Sequence, residues 1–357
     1  MSSLDLRPGR RIFVQTAIAS QPIEYALPTL LKELRVGPRD TRAGDERNQS
    51  ASLTFRASYP LLGLLLSQSC SRNAERPVES GDAIADVPVA KFVRDLILTH
   101  AVPPVSVVTL RTINGKLRGL ETPGATPFRS VLTWVDGRVP SSAALVPAPP
   151  GEIEEYIADL VEFIGRDDVA ENIWSAMVYY QLLVVHPFKD ANGRLARLLL
   201  ALKSWRRQSS CSKGIVFAAA LNTLKYDVAR HFSKVFDGNA DEYLKCWRKI
   251  ESWSDSVAEL AVRSLLQMHS ALRERLGPVN WLADFVKLVE LCPAFSHAEF
   301  KSVTRGSDRL ASRYCLSLEQ EQTLTRIDAA ADKWVCEESR SHWNRVRSYA
   351  MTAERIA

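Results

Sequence analysis

What this 357-residue chain lacks bounds it first. No apolar run approaches the roughly 20 residues of a membrane-spanning helix; the longest, Leu61–Leu66 and Ile215–Leu221, are short. Arg10-Arg11 precedes Ile12-Phe13-Val14, but Gln15 and Thr16 interrupt the run early. That segment reads as the start of a strand or helix, not a signal peptide. Cysteine is scarce: Cys70, Cys211, Cys246, Cys292, Cys315 and Cys336 are scattered without a Cys-x-x-Cys pair. This excludes a zinc module or disulfide framework and points to a reducing, cytoplasmic setting. Charge of one sign is lacking too, because 46 Lys and Arg face 41 Asp and Glu for a net +5. So mild a balance suits a nucleotide or an acidic partner without demanding nucleic acid.

What is present is a globular composition, 46% hydrophobic and 24% charged. The length suffices for one large domain or two to three smaller ones. The chemistry gathers in one stretch, His186-Pro187-Phe188-Lys189-Asp190-Ala191-Asn192-Gly193-Arg194-Leu195-Ala196-Arg197. Apolar helical runs, Trp174–Val185 and Leu195–Trp205, flank it. A polar loop between two such helices is a site on rigid supports. The ring of His186 can take a proton near neutral pH. A single carboxylate, Asp190, suits Mg²⁺ that also binds substrate phosphates. Asn192-Gly193 is a turn opening a helix, so free N–H groups and the helix dipole face an anion. Arg194 and Arg197, three apart, share a helix face and can fork onto phosphate oxygens. Phe188 is the peg that anchors the loop in the core. Taken singly, each residue is ordinary: a structural histidine, a cap, a turn, a solvated arginine. The conjunction at fixed spacing points instead to general base, metal carboxylate and phosphate cradle, hence to a nucleotide-dependent transferase.

The stretch resembles the signature of Fic-domain proteins, His-x-Phe-x-(Asp/Glu)-(Gly/Ala)-Asn-(Gly/Lys)-Arg-x-x-Arg, and meets every specified position. The resemblance implies AMP transfer from ATP to a Ser, Thr or Tyr hydroxyl of a target protein. His186 would deprotonate the hydroxyl, and Asp190 would hold Mg²⁺ (or Mn²⁺) at the α- and β-phosphates. Asn192, Gly193 and Arg194 would cradle phosphates, and Arg197 would meet the γ-phosphate. Ser71-x-x-x-Glu75 resembles the inhibitory motif of family members with an N-terminal helix, so Glu75 would pair with Arg197; Arg76 departs from the expected Gly or Asn. The Phe128-Arg129 segment resembles the approach to the family's flap, a small β-hairpin over the active-site mouth that holds the target by strand addition. Here it would lie within Val131–Leu145.

Elsewhere, residues 1–50 read as a polar, basic arm with one apolar segment, Ile23–Leu34. Helices are expected at 51–71, Pro88–Leu98, Glu152–Phe163, 213–236 and 240–275. Asn114-Gly115 and Asp136-Gly137 read as hairpin turns. His231, Trp247 and Trp253 read as structural. Toward the end, Trp281–Leu291, then Ser296 capping Ala298–Val303, then a turn at Thr304-Arg305-Gly306-Ser307 into Asp308–Leu318 have helix-turn-helix spacing. No β-wing is legible, and 331–357 reads as one charged helix.

The expected architecture is mainly α: a Fic-fold bundle with a β-hairpin flap and a helical or winged-helix-like C-terminal extension. Its parts would be 1–90 with the inhibitory helix, a catalytic core at 91–207, a helical continuation at 208–278 and a C-terminal module at 279–357. The expected function is an autoinhibited protein adenylyltransferase. The alternatives are another cargo (UMP, phosphocholine or phosphate), removal of AMP, or a nucleotide-sensing regulator binding DNA or a protein. A homodimer stands open, and no membrane partner is expected.

Overall fold

The computed structural model describes residues 4–5, 8–14, 23–36, 104–120, 126–135, 138–143, 145–206, 211–291, 294–328 and 332–351. The expected helices at 51–71 and Pro88–Leu98, and Glu75 with them, lie outside the described residues.

Two helices form the centre, α3 (Glu171–Val185) and α4 (Asn192–Arg206). Their apolar residues point in every direction rather than along one stripe, the mark of a helix surrounded by protein. Ile173, Trp174, Met177, Val178, Leu182 and Val185 are all buried, as are Leu195, Leu198, Leu199 and Leu202. Around them pack α1 (Val107–Leu117), α2 (Ile153–Ile164) and α5 (Cys211–Thr223). Helix α2 buries Ile153, Ile157, Leu160 and Ile164, while Val161 is half-buried.

Asn114-Gly115 is not a hairpin turn: both residues are buried inside α1. Leu110, Ile113 and Leu117 supply a helical stripe, and Ser106 caps the first turn by accepting from Thr109 N–H. Tertiary burial of that stripe outweighs the turn preference of the Asn-Gly pair.

The described residues of the N-terminal stretch are no arm either. Strands β2 (Arg10–Val14) and β3 (Ile23–Leu27) pair antiparallel, and β1 (Leu4–Asp5) pairs with β4 (Arg35–Val36). A single turn at 31–33 docks on α2, burying Leu31 and Leu34. There Asp159 of α2, 4% exposed, accepts from Leu31 N–H at 2.6 Å and Lys32 N–H at 2.9 Å. Burial raises this carboxyl above its usual range, and the two N–H donors and Lys32 pull it back. The reading from sequence missed this because a buried aspartate has no signature at its own position.

Beyond α5, short helices α6 (Lys225–Ala229) and α7 (Phe232–Phe236) lead to α8 (Asp241–Leu276). With 36 residues, α8 is about 54 Å long at 1.5 Å per residue. Its first half closes the core: Tyr243 Oη donates to Ala176 O at 2.7 Å, and Trp247 Nε1 donates to Ser175 Oγ at 3.0 Å. Trp253 is only half-buried. Its second half carries the C-terminal module on Leu265, Met268 and Leu272.

That module contains α9 (Leu282–Leu291), β5 (Ala294–Ser296), α10 (His297–Thr304), α11 (Asp308–Gln320), β6 (Leu324–Asp328), β7 (Lys333–Cys336) and α12 (Glu337–Met351). Ser296 and Glu299 form a capping box at the start of α10, and Ser307 caps α11. The strands form an antiparallel sheet in the order β5-β7-β6. So a wing is present, and Lys333–Cys336 is strand rather than part of one terminal helix. Strands of four and five residues are too short for their periodicity to be told from a helix. The chain is thus mainly α with a small sheet and a winged-helix-like end. Among the described residues no helix is long and apolar enough to cross a membrane.

Candidate active site

The site begins where α3 ends. His186 is the C-cap of α3, in the left-handed conformation with φ 50° and ψ 58°, and its N–H donates to Leu182 O at 3.0 Å. Its Nδ1 lies 3.2 Å from Leu183 O. A carbonyl only accepts, so Nδ1 carries the proton and Nε2 keeps a lone pair for an incoming proton. Burial lowers the pKa of His186; Leu183 O and Asp190 oppose the shift, and Arg129 adds to it. The ring is therefore a neutral base at pH 7.

The loop is pinned from within. Phe188 is fully buried, with its ring 5.4 Å from that of Phe128. Asn192, 2% exposed, spends both ends of its amide on Phe188: Nδ2 donates to Phe188 O at 2.8 Å and Oδ1 accepts from Phe188 N–H at 3.0 Å. That leaves the backbone N–H of Asn192, not its amide, available to a ligand. Ala191 bridges to α4 with φ 69°, a conformation few residues without a short polar side chain adopt.

Asp190 lies at the mouth, its side chain 56% exposed. Its Oδ1 accepts from Ala191 N–H at 2.6 Å, and its Oδ2 pairs with Arg194 at 2.9 Å. Arg194 also donates from Nη1 to Leu117 O at 2.6 Å, capping the end of α1. Both groups of the expected metal-and-phosphate pair thus hold each other. Among the described residues no three His, Cys, Asp or Glu side chains gather as a metal site. The lone exposed carboxylate fits a cation only if phosphate oxygens complete its shell, which is how Mg²⁺ is commonly bound.

Behind the loop, Arg197 is 6% exposed beside Tyr179. Burial lowers the arginine's pKa and the Tyr179 hydroxyl restores part of the loss; a guanidinium stays charged regardless. Gly193 lets this side chain pass, since a Cβ there would lie 3.2 Å from Arg197 Nη1. The first-turn N–H groups of α4 have no intrahelical acceptor, so charge and donors converge on one spot.

The structure thus brings His186, Phe188, Asp190, Asn192, Gly193, Arg194 and Arg197 together on one loop and helix start; Glu75 lies outside the described residues. It also adds residues that the sequence did not single out. Asn114 of α1, fully buried, donates from Nδ2 to Asp190 O at 2.9 Å, and Tyr179 of α3 supports Arg197. Neither residue has a local signature, since each acts by tertiary contact on a partner far along the chain. At the flap position the chain forms one antiparallel bridge, Val135 to Leu145, with Asp136-Gly137 outside the described residues. Val131, Trp134, Val135 and Val139 are exposed there.

The Fic/DOC family model matches residues 104–202. A 61-residue stretch is 41% identical to "Protein adenylyltransferase fic-1" of Caenorhabditis briggsae, covering 16% of this chain and 12% of that protein. Another, of 111 residues, is 26% identical to "Protein adenylyltransferase and cysteine protease IbpA" of Histophilus somni, covering 30% of this chain and 2% of that one. This chain therefore spans only a small fraction of those relatives. A crystal structure of a Fic family protein from Desulfovibrio desulfuricans G20 overlaps loosely: TM-score 0.44, 16% identity, 79% of this chain and 87% of the other. Residues 104–202, with the signature loop folded inside them, match the Fic/DOC family model, so the chain carries a Fic domain.

Proposed function

We propose that this protein is a protein adenylyltransferase that moves AMP from ATP to a hydroxyl side chain of a target protein, in the cytoplasm. The supporting observation is the juxtaposition at the mouth of α4: a neutral base, His186, beside unpaired first-turn N–H groups backed by the buried Arg197. Nε2 of His186 takes the hydroxyl proton as the oxygen attacks the α-phosphorus. The bond to the β-phosphate bridging oxygen breaks, and pyrophosphate leaves. The first-turn N–H groups of Asn192, Gly193 and Arg194 receive the phosphate oxygens, and Arg197 meets the γ-phosphate. Such preorganised donors cost no reorganisation during the reaction. Mg²⁺ or Mn²⁺, bound by Asp190 and phosphate oxygens, would neutralise phosphate charge. Arg194 must then release Asp190, a small cost for an exposed i,i+4 pair, about 0.3–0.5 kcal/mol. Glu75, if it pairs with Arg197, would hold the γ-phosphate position closed.

The test is incubation with ATP labelled on the α-phosphate, for the unaltered protein, Glu75→Gly and His186→Ala. Label on protein that vanishes in His186→Ala supports the transfer, and a rise in Glu75→Gly supports the brake. ATP binding without label in any form sinks this reading in favour of UMP, phosphocholine or phosphate as cargo, or AMP removal.

A regulator reading draws on the wing of the C-terminal module. Its second helix, α11, exposes Arg309 and Arg313, but also Leu310 at 38% and Leu316 at 54%. Exposed leucines on that face suit a protein surface, including a second copy of this chain, better than DNA. Retention on duplex DNA that is lost at raised salt would reverse that preference.

A further inference from the structure

We propose that Arg129 is a positioning residue that holds the base and the flap segment in one frame, so that the target hydroxyl and His186 meet in fixed register. The proposal rests on the transfer reading above and adds a residue that touches neither nucleotide nor target.

Arg129 is 2% exposed. Its Nε donates to His186 O at 2.7 Å, and one terminal nitrogen reaches Val185 O at 3.2 Å and also Ala148 O. The other terminal nitrogen donates to Val131 O at 3.2 Å, while its backbone N–H donates to Pro187 O at 2.9 Å. Three successive carbonyls, 185 to 187, are thus held by this one residue. They are the carbonyls left over where α3 stops and His186 turns left-handed. A helix C-terminus is a natural seat for a cation. Yet burying a guanidinium is costly unless its N–H groups are met, and an apolar side chain could fill the same volume.

What an apolar residue could not do is join two segments. Val131 and Ala148 stand at the entry and exit of the stretch closed by the Val135–Leu145 bridge. The fork therefore fixes both ends of the flap and the carbonyls of Val185 and His186 from one rigid plane, and the Arg129 backbone N–H holds the far side of the base at Pro187 O. Its near neighbours reinforce that placement: the Phe128 ring packs on Phe188, and the Arg111 guanidinium lies 5.4 Å above the Phe128 ring. If the base and its target platform drifted by about 1 Å relative to each other, transfer would fall about 10²-fold.

Arg129→Lys keeps the charge and loses the fork; Arg129→Met loses both. Each is compared with the unaltered protein for ATP affinity, label transferred to a fixed mixture of Ser-, Thr- and Tyr-containing peptides, and amide hydrogen exchange. The expected result is ATP affinity within twofold and transfer down about 10²-fold in the Met form, partly recovered by Lys. Exchange should quicken together at 131–135, 145–148 and 185–188. A folded Met form that transfers within threefold of the unaltered protein overturns the proposal. So does a loss residing wholly in ATP affinity, or exchange that quickens on one segment alone. Should neither variant fold, the unaltered protein still decides: its Arg129 Nε–H should exchange slowly by NMR, and fast exchange refutes the lock. Should the unaltered protein transfer no label, the transfer reading fails by itself and the exchange data still judge Arg129.

Discussion

Replacing Gly193 with alanine separates what the first turn of α4 needs for folding from what it needs for binding. The added Cβ would have one neighbour within 4 Å, Arg197 Nη1 at 3.2 Å. Alanine is preferred over glycine inside a helix by about 0.8–1.0 kcal/mol, and that gain opposes the crowding. The crowding asks Arg197 to retreat by a few tenths of an ångström. The residue is 6% exposed and its guanidinium rests beside the Tyr179 hydroxyl, so it moves within the core rather than into water. Stability should stay within about 1 kcal/mol of the unaltered protein, in either direction. Transfer should suffer more, because the methyl also crowds the approach to the first-turn N–H groups. At about 10²-fold per ångström of misplacement, a displacement of this size lowers kcat/KM about tenfold, or ~1.4 kcal/mol of transition-state stabilisation. Urea melts and transfer of α-labelled phosphate measure the two effects on one preparation. An unchanged rate at unchanged stability would refute the placement of nucleotide phosphates at this turn. A stability loss above about 2 kcal/mol would refute the packing.

Phe188→Ala removes a fully buried ring and should cost about 3–5 kcal/mol in chemical denaturation; a loss under about 1 kcal/mol means the loop is not anchored there. The acid limb of the transfer rate should lie below pH 6.5, because burial of His186 depresses its pKa from that value and the protonated ring is no base. A limb above 6.5 contradicts the buried, neutral ring. His342, fully buried with Nδ1 3.0 Å from Ser264 Oγ and with Arg345 and His269 nearby, titrates at about 4 rather than 6.5. Between those values the unfolded chain binds the proton and the folded one does not, so stability falls as pH drops through that window. The loss is about 3 kcal/mol, and none of it is felt above 6.5. His342→Gln should flatten it; an equal loss in both proteins would exclude His342 as the source.

The signature loop was legible because its chemistry is local. His186, Asp190, Asn192, Gly193, Arg194 and Arg197 sit on one turn and the start of the next helix, so spacing alone brings them together. The helices were legible for the same reason: Leu195 to Leu202 and Ile153 to Ile164 repeat at helical intervals, and Ser296 announces α10 through its capping box. The errors fell where local preference met a distant partner. Asn114-Gly115 has a turn's composition, yet burial of Leu110, Ile113 and Leu117 made it helix. Lys333–Cys336 is too short to show a strand's period, and it became a strand by pairing with Ala294–Ser296 and Leu324–Asp328.

By itself, then, the sequence determined the helical class and the candidate loop with its histidine, because hydrophobic period and side-chain type are properties of neighbouring residues. Tertiary structure alone decided which donors are free to meet a ligand. Asn192 is spent on Phe188, Arg194 is shared between Asp190 and Leu117, and Arg129 is committed to carbonyls from three segments. A buried polar group must find a partner wherever the fold brings one, and sequence spacing does not encode that meeting.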